Sequence, residues 1–325
     1  MNTPDAASRP QQRLEHFPIS FFATIMGTAG LAIAWRKAHT VLGTPEGIGC
    51  GLTLWAAILF VLIAIGYATK MARHWGAVKH EFAHPIRVNF FPALSISLLL
   101  LAVAFTDNQP GLASVLWGIG AAVHLAFTLT IMSSWIHHTH YNIKHASPAW
   151  FIPVVGNIIV PIAGVSFGPT EISWFFFSIG LVFWIVLLTI VMYRLFFHEP
   201  LPDRLTPTLF ILIAPPAVGF IAWVKLGGGQ IDAFARILYY SALFLTLLLA
   251  SNALRFFRVR FFLSAWAYSF PLAAITIATL VMAEKIGGPF VTLGWVLLVA
   301  LSIVLALLTV RTIQGIFRRE ICVPE

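Results

Sequence analysis

Ten apolar runs alternate with short polar segments along the chain, at 17–35, 49–69, 88–105, 112–136, 149–167, 172–193, 207–224, 237–254, 261–282 and 289–310. None of them contains Asp, Glu, Lys or Arg. Each is close to the roughly 20 residues a helix needs to cross about 30 Å of hydrocarbon. Lipid offers backbone N–H and C=O groups no partners, so each run is predicted to be a helix. The connections are short, the longest lying near 70–87 and 137–148, so sequence neighbours are expected to pair as antiparallel hairpins. The predicted fold is an all-α integral membrane protein. A short N-terminal tail (1–16) precedes a ten-helix domain (17–315) and a C-terminal tail (316–325).

Proline adds a second pattern. The odd-numbered runs carry Pro18, then Pro92, then Pro153 and Pro161, then Pro215 and Pro216, then Pro271. The even-numbered runs hold none beyond Pro289, at the first position of the tenth. This predicts five hairpins, each pairing a proline-marked helix with a plain one, with the proline-marked helices gathered around a pore. Pro18, Pro92 and Pro153 lie near the starts of their runs, where a missing N–H costs little. Pro161, Pro215, Pro216 and Pro271 lie deeper. There a helix-interior proline costs about 3 kcal/mol, tolerated in a membrane where protein or a wet cavity satisfies the freed backbone.

Composition and charge fit this picture. The 325 residues are 59% hydrophobic and 10% charged, too little charge to cover a soluble domain. The formal charge is +8. Its distribution points to membrane topology and away from nucleic acid. Fifteen of the twenty Lys and Arg residues fall on the side that holds the N-terminus and five on the other. That bias predicts both termini in the cytoplasm of a protein of the bacterial inner membrane. Residues 1–16 lack the apolar core of a cleavable signal, so the first run is expected to act as an uncleaved one. Cys50 and Cys322 form neither a disulfide framework nor a metal-ligand spacing.

The chemistry available inside the runs is narrow. All twelve acids fall outside them, so nothing there attracts a cation, whereas proton-coupled pumps place carboxylates in the membrane. An anion path remains open, with basic rims and hydroxyl or amide donors on its wall. The candidate lining residues are Ser20, Thr24, Asn89, Ser95, Ser97, Asn157, Ser269, Thr276 and Thr279; the ordinary alternative for each is helix packing or a main-chain hydrogen bond. A bare ion entering a dry site costs of order 20 kcal/mol, so such a pore must be wide or closed. Phe270, beside Pro271, is a ring able to close it, although it is one of 28 phenylalanines. Loop histidines raise a different possibility. His80 and His84 follow the second run, and His137, His138, His140 and His145 follow the fourth. They do not form the repeated boxes of membrane di-iron enzymes, and no metal or cofactor is expected. His124, inside the fourth run, is read as a hydrogen-bonded packing residue.

Three stretches resemble a known family. Phe17–Ala38 (FPISFFATIMGTAGLAIAWRKA) is similar to the first helix of the tellurite-resistance/dicarboxylate transporter family, which includes slow-type anion channels of plant guard cells. Glu81–Pro92 (EFAHPIRVNFFP) is similar to the entry to its third helix, and Trp266–Ala274 (WAYSFPLAA) to its ninth. The resemblance implies five hairpins with the odd helices inside, a homotrimer with a pore in each protomer, and a phenylalanine plug at the position of Phe270. It implies small inorganic or organic anions as cargo, surrounded by membrane lipid. The expected function is an anion channel or uniporter. The alternatives are a secondary carrier or efflux permease for C4-dicarboxylates, tellurite or sulfite, and, from another class, a histidine-based membrane metalloenzyme.

Overall fold

The computed structural model describes residues 10–137 and 141–322. Ten helices are long and apolar enough to span a bilayer: α1 (Ile19–Leu42), α2 (Glu46–Arg73), α3 (Arg87–Phe105), α4 (Pro110–His137), α5 (Pro148–Phe167), α6 (Thr170–Phe197), α7 (Thr206–Leu226), α8 (Ala233–Ala250), α9 (Leu263–Lys285) and α10 (Pro289–Phe317). No strand occurs among the described residues. Most spans run past the apolar core into the charged residues that flank it, such as Arg36 in α1 and Lys70 in α2. The eighth differs from its predicted limits, 237–254. It starts earlier because Asp232 caps it, its carboxylate accepting Ala235 N–H at 2.8 Å. It stops at Ala250, where the Ser251 hydroxyl and the Asn252 amide both take the Leu248 carbonyl. Residues Ala253–Arg258 then form a separate short helix.

The odd and even helices occupy different shells. In each odd helix 72–78% of the apolar stretch is buried, against 17–33% in each even one. α1 packs on α3, α3 on α5, α5 on α7, α7 on α9, and α9 returns to α1, closing an inner ring. Each even helix leans outside its hairpin partner. The ring closes tightly because α1 offers glycine at the seam. A Cβ on Gly27 would fall 2.2 Å from Ser269 Oγ, and one on Gly30 would fall 2.7 Å from the Ala273 Cβ. Small residues at such crossings let membrane helices approach closely.

The inner helices are not α-helical throughout. Each contains 3₁₀ turns in its first half or at its middle: Ile19–Phe21, Arg87–Phe90, Gly156–Ile159, Thr206–Ile213 and Leu263–Tyr268. In α3, α5, α7 and α9 the prolines explain this. Pro92 immediately precedes the α-helical part of α3. Pro161 is the second residue of the segment Val160–Phe167, Pro215 and Pro216 the second and third of Ala214–Leu226, and Pro271 the third of Ser269–Lys285. The prolines expected to interrupt helices therefore sit in first turns, where no N–H is missed. The residues before them cannot continue into a regular α-helix and wind as 3₁₀ instead.

Candidate functional site

The five inner helices enclose a cavity, walled mainly by the halves from which those helices start. Its wall is drawn from α1, α3, α5, α7 and α9, with no contribution from an even helix. About 70 Å³ is open to water, room for only a few molecules. The wall residues farthest along the successive helices are Met26, Ile96, Ile159, Val218 and the pair Phe270–Pro271. They make an apolar collar. Phe270 is half-buried, and its ring lies over Gly30, 3.6 Å from where a Cβ on that glycine would stand.

Most of the predicted lining donors point elsewhere. Thr24, Ser95, Ser97, Ser269 and Thr276 each donate to a carbonyl three or four residues back, at 2.6–2.8 Å. Asn157 gives its amide to the Val154 carbonyl and to Thr128 Oγ1 on α4, while Thr128 in turn reaches the Pro153 carbonyl at 2.7 Å. Asn89 bonds the Pro85 and Ile86 carbonyls, and Thr279 meets the Tyr239 hydroxyl of α8. These polar groups satisfy main-chain carbonyls around the 3₁₀ turns, the role polar side chains fill where membrane helices are broken. Of the nine candidates only Ser20 lines the cavity. Of the prolines only Pro215 and Pro271 do so; Pro18, Pro92, Pro153 and Pro161 shape the helices behind the wall. The wall also holds a second serine, Ser264, which the sequence sets among aromatic neighbours near the start of the ninth run.

His124 is fully buried, with Nδ1 2.9 Å from Ser95 Oγ. Since Ser95 donates to Pro92, the imidazole must donate through Nδ1–H. Its Nε2 has no partner among the described residues and lies against Gly156. The described loop histidines make local hydrogen bonds. His84 Nδ1 accepts Ile86 N–H and Arg87 N–H, and His145 Nδ1 accepts Asn142 N–H. His137 bonds the Ser133 carbonyl, and His80 is exposed. His138 and His140 lie outside the described residues. Among the described residues no three His, Cys, Asp or Glu side chains come together as metal ligands would.

A charged cluster beside the cavity mouth was not anticipated. The surface helix Trp75–Ala83 turns Glu81 inward against the start of α1. Its carboxylate accepts Ile19 N–H at 2.8 Å, the Tyr67 hydroxyl at 3.1 Å and Lys70 Nζ at 2.7 Å. Lys70 also donates to the Phe17 carbonyl at 2.9 Å. The pair is buried, the side chains 3% and 5% exposed, and it fixes the first turn of α1, from which Ser20 reaches the wall. A basic residue marks another side of the mouth, where the Arg204 guanidinium lies 5.4 Å above the Phe262 ring, next to the start of α9.

A family model described as voltage-dependent anion channel (SLAC1) matches residues 16–313. The chain belongs to the SLAC1 family. The S-type anion channel SLAH3 of Arabidopsis thaliana is 33% identical over 318 residues, covering 95% of this chain and 50% of that protein. The guard cell S-type anion channel SLAC1 of the same plant is 29% identical, covering 85% of this chain and 51% of its own length. A tellurite resistance protein TehA homolog of Haemophilus influenzae is 24% identical, with 79% of each chain covered. The chain thus spans about half the length of these two plant channels. The match takes in all five inner helices and the whole cavity wall.

Proposed function

We propose that the protein is an anion channel or uniporter and that small anions cross the membrane through the lumen of the inner ring. The observation that carries this reading is a cavity walled by the five inner helices alone, with the Phe270 ring in its wall. The cavity wall has no acidic residue, and the relatives named as S-type anion channels support the same cargo. Phe270 is the gate. Its ring occupies the collar, where an apolar constriction too narrow for a hydrated ion blocks conduction sterically and by dewetting. The protein sits in the inner membrane with both termini in the cytoplasm, as the excess of Lys and Arg on the terminal face supports. Each protomer of a homotrimer carries its own lumen, since one chain closes the ring unaided.

The test is anion current from Phe270→Ala against the parent in oocytes or planar bilayers. A rise of tenfold or more is expected; no rise at normal surface expression removes Phe270 as the gate. The relative named for tellurite resistance favours a second reading, a carrier for oxyanions such as tellurite. Counterflow of labelled substrate in liposomes separates the two, because only a carrier exchanges faster than it passes net flux.

A further inference from the structure

The eighth span is the short member of the outer shell. α8 has 18 residues, where the other even helices have 28 or 29. At 1.5 Å per residue it rises about 27 Å, just under a hydrocarbon core of roughly 30 Å. The chain after Ala250 is therefore held at the depth of the lipid phosphates, on the face from which the odd helices start. The short helix Ala253–Arg258 lies there. Phe256 anchors it, its ring 5.0 Å from Phe210 in the first turns of α7 and 5.9 Å from Tyr268 in those of α9. Leu254 is left 75% exposed, an apolar side chain that the acyl region of a bilayer would cover. Four arginines gather at this level. Arg255, Arg258 and Arg260 are all exposed, and none forms an ion pair with a described residue. Arg311 of α10 comes alongside, its guanidinium 5.7 Å above the ring of Phe261, the residue after Arg260. Along the chain no acid occurs between Asp232 and Glu284, which stand near the opposite ends of α8 and α9. Like charges held together repel, and no acid of this hairpin shares their face to offset them.

We propose that Arg255, Arg258, Arg260 and Arg311 form a docking site for the headgroup of an anionic phospholipid in the leaflet on this face, with Leu254 against its acyl chains. A guanidinium fork matches two phosphate oxygens at once. A cluster of four or more basic residues beside a membrane helix is the arrangement that captures anionic headgroups. In a zwitterionic lipid the headgroup ammonium offsets the phosphate, so four cations select a lipid of net negative charge. The depth set by the short α8 and the exposed Leu254 favour a lipid over a soluble phosphate. The docked headgroup also steadies the lumen from behind, because Phe256 leans on Phe210 and Tyr268, whose sequence neighbours Ile211 and Ala267 line the cavity. The inference does not depend on what the lumen carries.

The experiment titrates the purified protein, in a neutral detergent, with phosphatidylglycerol or phosphatidylcholine and follows bound lipid by native mass spectrometry. Phosphatidylglycerol should bind at least about tenfold more tightly than phosphatidylcholine. Each of Arg255→Gln, Arg258→Gln and Arg260→Gln should weaken its binding about fivefold, and the three together about thirtyfold or more. The corresponding triple Arg→Lys variant keeps the charge and should keep most of the binding. Arg236→Gln, at the other end of α8, should leave it unchanged. Equal binding of the two lipids overturns the proposal, as does a triple glutamine variant that binds phosphatidylglycerol like the parent. A loss from Arg236→Gln as large as that from the triple variant overturns the site, because charge anywhere on the helix would then suffice. Glycerophosphoglycerol, the same headgroup without acyl chains, binding as tightly as the lipid makes the occupant a soluble phosphate and overturns the lipid assignment. The single variants read the same affinities should the triple variant fail to fold.

Discussion

The buried Lys70–Glu81 pair makes a quantitative prediction about what anchors the mouth of the inner ring. Both side chains are at most 5% exposed, so neither can turn to solvent when its partner is removed. Removing one member of such a pair leaves a buried charge unmatched and costs about 3–5 kcal/mol, whereas replacing both with uncharged groups of similar volume is close to neutral or stabilising. Glu81→Gln keeps an oxygen for the Ile19 amide but strands the Lys70 ammonium. Lys70→Met strands the carboxylate and drops the Phe17 carbonyl. Each single variant should lose about 3–5 kcal/mol, and the double variant should lose less than either, giving a coupling of at least about 2 kcal/mol. Thermal or denaturant unfolding of purified protein in detergent, run as a double-mutant cycle, measures it. Single losses below about 1 kcal/mol, the range of exposed ion pairs, or losses that simply add, would refute the reasoning. Both results would mean that water reaches the pair.

Other consequences can be checked alongside. Gly27→Ala should destabilise the protein by about 1–3 kcal/mol, since its Cβ meets Ser269 Oγ and overpacking carries that cost; Ser269→Gly in the same chain should recover part of it. Thr128→Val should cost about 1–3 kcal/mol by leaving the Pro153 carbonyl and the Asn157 amide short of a partner, read by the same melt. Burial pushes the Cys322 thiol up to about 11. A raised value means less thiolate at neutral pH, so maleimide labelling at Cys322 should be slow at pH 7 and accelerate as pH climbs toward 11; rapid labelling at pH 7 would contradict that burial. Metal analysis of purified protein should find no stoichiometric iron or zinc that is lost on mutating His80 and His84, because His84 is spent on capping the turn at Ile86 and Arg87.

The shell arrangement was legible in the sequence because proline is a backbone signal. Pro92, Pro161, Pro215 and Pro271 mark the inner helices whichever way those helices face. Their true setting was not legible. An apolar run looks the same whether it is one α-helix or a 3₁₀ segment joined to one, so first-turn prolines looked like interruptions. Lining was harder still. In a soluble helix a polar stripe reveals the rotation about its axis, but α3 or α9 is apolar on every side. Ser20 and Ser95 therefore looked equivalent, although one faces the cavity and the other faces His124. Glu81 escaped for the opposite reason. It lies in a polar loop by sequence, and only the turn at His74 brings it back under α1 to meet Lys70. The family resemblance, and not hydropathy, separated Phe270 from the other phenylalanines.

The 3₁₀ segments also set how tall the inner ring stands. A 3₁₀ turn rises about 2.0 Å per residue against 1.5 Å in an α-helix. The eight residues Thr206–Ile213 therefore give α7 about 4 Å more height than the same residues wound as α-helix. That extra reach carries its 21 residues to about 35 Å, clear of a hydrocarbon core of roughly 30 Å. Four of the five outer helices, α2, α4, α6 and α10, reach that thickness with 28 or 29 residues and no stretched turns. Proline thus fits a short inner helix to a full-width bilayer. Were Pro215 and Pro216 replaced and the segment rewound as α-helix, the mouth of the lumen would be drawn about 4 Å toward the membrane centre, a thickness mismatch felt by the ring and not by its outer shell.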